Sequence, residues 1–345
     1  MGLCDLPCDL LAATLQFADH STLLQLESVC RHVQDVIVQF DDGKLGTLVY
    51  ESMEYNVVKD MEVPVYSNEE RLAFRLSEHD AGIAALAFSD DERLLCSVGS
   101  PEDGPRLYIW DVMTGNICAT HQKISNIVTA VAFGGMARDV KRRDTANYQF
   151  ATVGHRLLVI WVLNPVTGEL TQSKIEQTLI RDYTCVQFSP DFETLVAGSS
   201  SGDFSVVGVK TRQLFKVVPA CSCGVNSILY FDGALSSDQR LVLSAGQEKR
   251  ISYWDLRIDT PVTVIQKAHE EEATCIAVAH NLDVFATGGN DRLVKLWDYN
   301  TSQLIMDGVG HSGNVRGLAF SPDDRQLVSV GDDGCVFVWN VYTDQ

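Results

Sequence analysis

From residue 71 onward the chain alternates short apolar runs with clusters of Asp, Gly, Ser and Pro. The runs come in threes. IAALAFS (83–89), LLCSVGS (94–100) and LYIWDV (107–112) make one set, and VRGLAFS (315–321), QLVSVGD (326–332) and VFVWNV (336–341) make another. Five to seven residues rich in Val, Ile, Leu, Phe and Trp, bounded by turn formers such as SPDD and GDDG, predict β-strands joined by tight turns. Residues 6–37 keep a different period. Leu10, Leu11, Leu15, Leu23, Leu24, Leu26, Val29, Val33, Val36 and Ile37 recur at steps of three and four, which predicts short helices. The pattern breaks at Asp19-His20-Ser21, where Asp or Ser can cap the next helix.

The third run of each set ends in an aromatic followed by a polar or small residue. LYIWDV (107–112), LVIWVL (158–163), ISYWDL (251–256), VKLWDY (294–299) and VFVWNV (336–341) are clear copies, and SVVGVK (205–210) is a weaker sixth with Gly208 at the Trp position. A spacing of about 43 residues suits a unit of four short strands. The pattern resembles the WD repeat and covers about four fifths of the chain. That resemblance implies an all-β fold, a β-propeller of six or seven blades. It also gives roles to two polar sets: His269, Thr287, Asp291 and Trp297, and His311, Ser329, Asp333 and Trp339. In each, Asp follows the hydroxyl residue by four and Trp follows Asp by six. WD repeats use such residues as mutually hydrogen-bonded structural tetrads, so a catalytic reading of Ser, His and Asp gives way to a structural one. The other copies are degraded: Glu248 stands for Asp beside Ser244 and Trp254, and the first keeps His79, Ser97 and Trp110 around a longer turn. RLAFRL (71–76) is expected to supply the outer strand that completes the last blade and closes the ring. LVYESMEYNVVKDMEVPVY (48–66) offers material for a seventh blade.

The N-terminal order Leu-Pro, Asp-Leu-Leu, Phe, Leu-Leu-x-Leu and Val-Cys-Arg resembles an F-box, with Val33 where that family usually has Trp and Ala18 in place of an apolar residue. The resemblance implies a small all-α module docking on the Skp adaptor of cullin ubiquitin ligases through Leu6, Pro7, Leu10 and Leu11. A helical cap packed on the propeller is the alternative. The expected organisation is an F-box-like module over 1–43, a connecting segment or degenerate blade over 44–70, and a propeller over 71–345.

Charge sharpens this division. The chain carries 46 acidic and 27 basic residues, a formal net charge of −19. Residues 1–70 hold 13 of the acids and three of the bases, so over half of the excess sits in one fifth of the length. An acidic surface disfavours nucleic acid as a partner. No apolar run reaches the roughly 18 residues of a membrane helix, so a membrane is not expected either. The ten cysteines are scattered, and only Cys221 and Cys223 are close, which suits reduced thiols in a cytoplasmic protein. No phosphate loop, dinucleotide fingerprint, zinc-protease motif or nucleophile elbow occurs, so neither a cofactor nor a metal is expected and no enzymatic activity is supported.

GGNDRLVKLWDYN (288–300), GVGHSGNV (308–315) and LSAGQEKRISYWDL (243–256) resemble one branch more closely, the cilia- and flagella-associated WD-repeat proteins of axonemal doublet microtubules. HDAGIAALAFSDDERLLCSVGSPEDGPRLYIWDV (79–112) is similar to the same group. The resemblance implies a non-enzymatic scaffold in the cilium or flagellum, with tubulin and axonemal proteins as partners. The competing reading, from the F-box-like segment, is a substrate receptor whose partners are the Skp adaptor and a cullin. Trp254-Asp255-Leu256-Arg257 also fits the WDxR pattern by which some propellers meet another cullin adaptor. GGMARDVKRRDTANY (134–148) reads as a loop inserted between two strands. Its Arg138, Lys141, Arg142 and Arg143 form a basic cluster suited to docking an acidic partner, with a plain solvated loop as the alternative.

Overall fold

The structure is a computed structural model. It describes the backbone of four early strands within residues 36–76 and, with short interruptions of which the longest is 233–239, residues 78–341; at 231–245 the description is of backbone alone. Residues 1–35 lie outside the described residues, and with them Leu6, Pro7, Leu10 and Leu11, as do Arg142 and Arg257.

The early strands are β1 (Val36–Asp41), β2 (Lys44–Tyr50), β3 (Val63–Ser67) and β4 (Leu72–Leu76), in the sheet order β2-β1-β3-β4. β1 runs antiparallel to β2 and parallel to β3. Asp41 pairs with Lys44. Two expectations change here. Val36 and Ile37, counted in the helical period, belong to a strand, where a β-branched pair is at home. Leu72–Leu76 pairs with β3 and not with the end of the chain, so the strand expected to close the last blade is used in this sheet instead.

The chain divides into two compact units, residues 81–267 and residues 1–80 together with 268–345. The first unit is four antiparallel sheets, each a meander in chain order. They are β5 (Ile83–Phe88), β6 (Leu94–Gly99), β7 (Leu107–Asp111) and β8 (Asn116–His121); β9 (Val128–Arg138), β10 (Asp144–Gly154), β11 (Leu157–Asn164) and β12 (Glu169–Lys174); β13 (Tyr183–Phe188), β14 (Thr194–Ser199), β15 (Asp203–Gly208) and β16 (Gln213–Pro219); and β17 (Val225–Asp232), β18 (Arg240–Gly246), β19 (Ile251–Asp255) and β20 (Pro261–Ile265). The second unit adds β21 (Ala273–Val278), β22 (Val284–Gly289), β23 (Leu293–Asp298) and β24 (Leu304–Val309), then a sheet of three, β25 (Val315–Phe320), β26 (Gln326–Gly331) and β27 (Val336–Asn340).

Burial follows position within each sheet. Every residue of the second strands β6, β14 and β22 is buried, whereas the fourth strands β12 and β24 are mostly exposed. A strand covered on both faces reads as a continuous apolar run, which is why LLCSVG and TLVAGS lack a strict alternation. Consecutive sheets press apolar faces together. Cys96, Ile109, Phe150 and Trp161 share one cluster, Ile160, Tyr183 and Leu195 the next, and Phe204, Val225 and Trp254 a third. In the other unit Cys275, Leu296, Val315 and Phe320 do the same. Face-to-face antiparallel meanders of this kind are the blades of a β-propeller.

The turns repeat as well. Ser89, Ser189 and Ser321 each donate to the Asp two residues on, Asp91, Asp191 and Asp323, at 2.6, 2.5 and 2.6 Å. Each hydroxyl oxygen also accepts the amide of the residue five on, at 2.9–3.0 Å. The chain then reverses through a left-handed residue, Glu92, Phe192 or Asp324, with φ of 55–60°.

Candidate functional site

Each tetrad is assembled by a loop and two neighbouring strands. In the last sheet Ser329 lies on β26 and Trp339 on β27, with Leu327 paired to Trp339, so the indole leans over the hydroxyl two residues further along. Trp339 Nε1 donates to Ser329 Oγ at 2.8 Å, and His311 Nε2 lies 2.8 Å from the same oxygen. His311 Nδ1 is 3.1 Å from both carboxylate oxygens of Asp333. One assignment satisfies all of these groups: the indole N–H and the imidazole Nδ1–H donate, and Ser329 donates to Nε2. The preceding sheet repeats it. Trp297 Nε1 donates to Thr287 Oγ1 at 2.9 Å, His269 Nε2 is 2.8 Å from that oxygen, and His269 Nδ1 is 2.9 Å from Asp291 Oδ1.

The carboxylates also tie down backbone. Asp333 accepts the amides of Ser312 at 2.7 Å and Cys335 at 3.0 Å, and Asp291 accepts that of Glu270 at 2.9 Å. Burial opposes the charge on Asp333, yet these amides and His311 together hold its carboxyl below the usual carboxylate range. Asp291 is held low in the same way, by His269 and the Glu270 and Leu293 amides against burial. Burial lowers the pKa of His311, outweighing the pull of Asp333.

Asp, His and a hydroxyl in line have the order of a hydrolase triad, but the surroundings forbid that chemistry. Ser329 and Thr287 are 0% exposed, and each oxygen already accepts an indole N–H. A nucleophile must reach a substrate carbonyl, and neither can. Among the described residues no group of three or more His, Cys, Asp and Glu is placed to hold a metal ion.

The degraded copies keep parts of the set. Trp110 donates to Ser97 at 2.8 Å, and Trp161 to Thr152 at 2.8 Å. Thr152 was not evident from residue spacing; its signal is register, two residues after Phe150, which pairs with Trp161. In the fourth sheet Glu248 accepts from the amide and hydroxyl of Ser222, as Asp333 does from Ser312, and pairs with Arg250 at 2.8 Å.

The third sheet corrects the sequence reading. Leu195 pairs with Val207, as Phe285 pairs with Trp297, so Val207 and not Gly208 takes the Trp position. Ala197, paired with Ser205, sits where Thr287 pairs with Lys295. Indole and hydroxyl have been exchanged together for Val207 and Ala197, both 0% exposed, which leaves no orphaned polar group. Polar contacts move elsewhere: Tyr183 Oη lies 3.0 Å from Ser205 Oγ, and Arg181 Nε is 2.7 Å from Asp203.

A second recurring device holds neighbouring sheets together, and sequence reasoning missed it. Thr129, Thr184 and Thr274 are each the second residue of a first strand. Their hydroxyls lie on the carbonyl oxygen that opens the next sheet: Tyr183 at 2.7 Å, Val225, and Val315 at 2.5 Å. Each is also within reach of a carbonyl in its own sheet, Val153, Gly198 or Gly288.

Only part of the expected insertion is a loop: Arg138 ends a strand, while Lys141 and Arg143 lie between the two strands. β9 and β10 are eleven residues each, and the expected insertion is the far end of their hairpin. A Cβ on Gly134 would stand 2.5 Å from the Phe188 ring and one on Gly135, whose φ is +64°, 2.7 Å from Phe192, so two glycines let the hairpin lie against the third sheet. Arg138 fastens it there, donating to Asp191 O at 3.1 Å and pairing with Asp144 at 3.0 Å and Glu193 at 3.8 Å. Arg138 is thus held against the third sheet, and Lys141 and Arg143 are exposed near the hairpin end.

The family model of the WD domain, G-beta repeat, matches residues 70–111, 260–298 and 302–340. Cilia- and flagella-associated protein 52 of Chlamydomonas reinhardtii is 32% identical over 108 residues, 31% of this chain and 18% of that protein. Its Homo sapiens counterpart is 25% identical over 183 residues, 52% of this chain and 28% of that protein. Nuclear distribution protein PAC1 of Arthroderma otae is 24% identical over 298 residues, 77% of this chain and 60% of that protein. The matched stretch therefore spans less than a third of either ciliary relative. The chain carries the WD repeats of β-propeller proteins, and over about half of its length it is similar to cilia- and flagella-associated protein 52.

Proposed function

We propose that the protein is a non-enzymatic interaction scaffold of the ciliary or flagellar axoneme, associated with doublet microtubules. The similarity over 183 residues to a protein named for cilia and flagella carries this reading. The burial of every hydroxyl in the two tetrads supports it, because the polar sets serve the fold and leave recognition to surface turns. In a chain of net charge −19, the hairpin end with Lys141 and Arg143 is the natural contact for an acidic protein surface such as tubulin.

The test is fractionation of the tagged full-length protein from ciliated cells, with salt extraction of axonemes and mass spectrometry of co-purifying proteins. Retention with tubulin and doublet proteins is expected, and charge reversal at Lys141 and Arg143 should weaken it. A diffuse cytosolic protein absent from axonemes overturns the reading. Near-stoichiometric Skp adaptor and cullin would instead make it a ligase receptor.

A further inference from the structure

Outer strands expose backbone to any extended chain, and folded proteins blunt them with charge, proline or brevity. Three of the outer strands here do so. β12 carries Glu169 and Lys174, β16 carries Lys216 and ends at Pro219, and β20 is five residues long and starts at Pro261. β24 does so least. It is Leu-Ile-Met-Asp-Gly-Val, without proline, and exposes Leu304, Ile305, Met306 and Val309 at 43, 54, 37 and 79%. Its outer edge pairs with no strand among the described residues.

Its single charge, Asp307, has Lys295 at 3.7 Å, but the surrounding segment remains acidic. Residues 268–345 hold twelve Asp or Glu and four Lys or Arg. Three of those four bases are already paired with acids, Lys295 with Asp307, Arg316 with Asp332 and Arg325 with Asp323. Self-association would bring together two copies of a segment with an excess of acids in a chain of net charge −19, so net charge favours a basic occupant over a second copy.

We propose that β24 is a strand-addition site for an extended segment of a partner protein, apolar at alternate positions and carrying Lys or Arg near its middle. Main-chain hydrogen bonds would supply affinity, and the apolar side chains with the net negative charge of the chain would supply selectivity. One added strand buries little area, so the contact is weak and reversible.

The test uses the full chain and fluorescent decapeptides of alternating Val and Thr. One has two central lysines, a second has glutamates there, and a third is the lysine peptide N-methylated at alternate amides. Anisotropy should show the lysine peptide binding at least about tenfold tighter than the glutamate peptide, and N-methylation should abolish binding. The double substitution Ile305→Lys with Val309→Lys should remove binding at an unchanged melting temperature. No binding of the lysine peptide, or binding indifferent to N-methylation or to the double substitution, overturns the proposal. A dimer in light scattering that the double substitution dissociates would assign the edge to a second copy and overturn it equally. None of these readouts depends on cilia, so failure here leaves the axonemal reading standing, and the converse holds.

Discussion

His311 and Ser329 are joined by a 2.8 Å contact between imidazole Nε2 and hydroxyl oxygen, and Trp339 donates its indole N–H to the same oxygen at 2.8 Å. One hydroxyl thus satisfies two buried groups. Ser329→Ala strips both partners at once, and leaving buried polar groups unpaired costs about 1–3 kcal/mol each. The expected loss is therefore about 2–4 kcal/mol in urea unfolding. Ser329→Thr should cost little, since Thr287 fills the equivalent place in the preceding sheet. A loss below about 0.5 kcal/mol for the alanine variant would show that the chain of hydrogen bonds does not hold the blade.

The same residues set a pH dependence. Burial lowers the pKa of His311, so the folded protein binds fewer protons than the unfolded chain at mildly acid pH. The contribution of His311 is complete above its ordinary value of about 6.5 and declines as pH falls from there toward the lowered folded value. Asp291 and Asp333 are held below the usual carboxylate range, so a second decline begins as pH falls through about 4. Melting temperatures measured from pH 8 to pH 3 should fall in these two windows. His311→Gln should remove the upper one, and a profile flat between pH 7 and 5 in the unaltered protein would contradict the assignment.

Sequence pattern exposed the parts of this fold that residue chemistry marks. Trp297, Trp339, Asp291 and Asp333 stand out because large aromatics and fixed acids are rare punctuation in β-runs, and SPDD and GDDG announce turns. The Thr clamps did not stand out, because Thr274 is an ordinary strand former whose partner, the Val315 carbonyl, belongs to the next sheet. The Val207 and Ala197 exchange was hidden for a related reason: only register shows that Val207, not its neighbour Gly208, faces Leu195. The partner of Leu72–Leu76 was also beyond the pattern, since an alternating run fits any free edge and its period names none. The basic cluster was visible, but how far the strands run before it depends on Gly134 and Gly135 meeting Phe188 and Phe192 some fifty residues on.

Sheet-to-sheet contact at the clamps should tolerate little change. A Cβ on Gly288 would stand 2.5 Å from Val315 Cγ1 and 2.7 Å from Cys275 Sγ, and one on Gly198 would meet Cys185 and Val225 at 2.7 and 2.9 Å. Gly288→Ala therefore overpacks a close contact and should cost about 1–3 kcal/mol. Thr274→Val keeps the shape but removes the donor to the Val315 carbonyl, at about 1 kcal/mol or somewhat more. Combined, the two should fall short of their sum, because once the sheets are pushed apart the hydroxyl has less to lose. A double-mutant cycle by chemical denaturation reads this directly, and strict additivity would mean that glycine and threonine act independently.

At the long hairpin, shape and charge should separate. Arg138 and Asp144 form an ion pair with side chains 35% and 66% exposed, and pairs of that kind contribute about 0–1 kcal/mol. Arg138→Ala should therefore shift the unfolding midpoint only slightly. Gly135 is different, because its φ of +64° disfavours any side chain and Phe192 occupies the space a Cβ would take. Gly135→Ala should cost about 1–3 kcal/mol and lift the hairpin from the third sheet, seen as faster amide exchange over 134–148. If Arg138→Ala proves the more damaging, the hairpin is held by its charges and not by glycine-enabled contact.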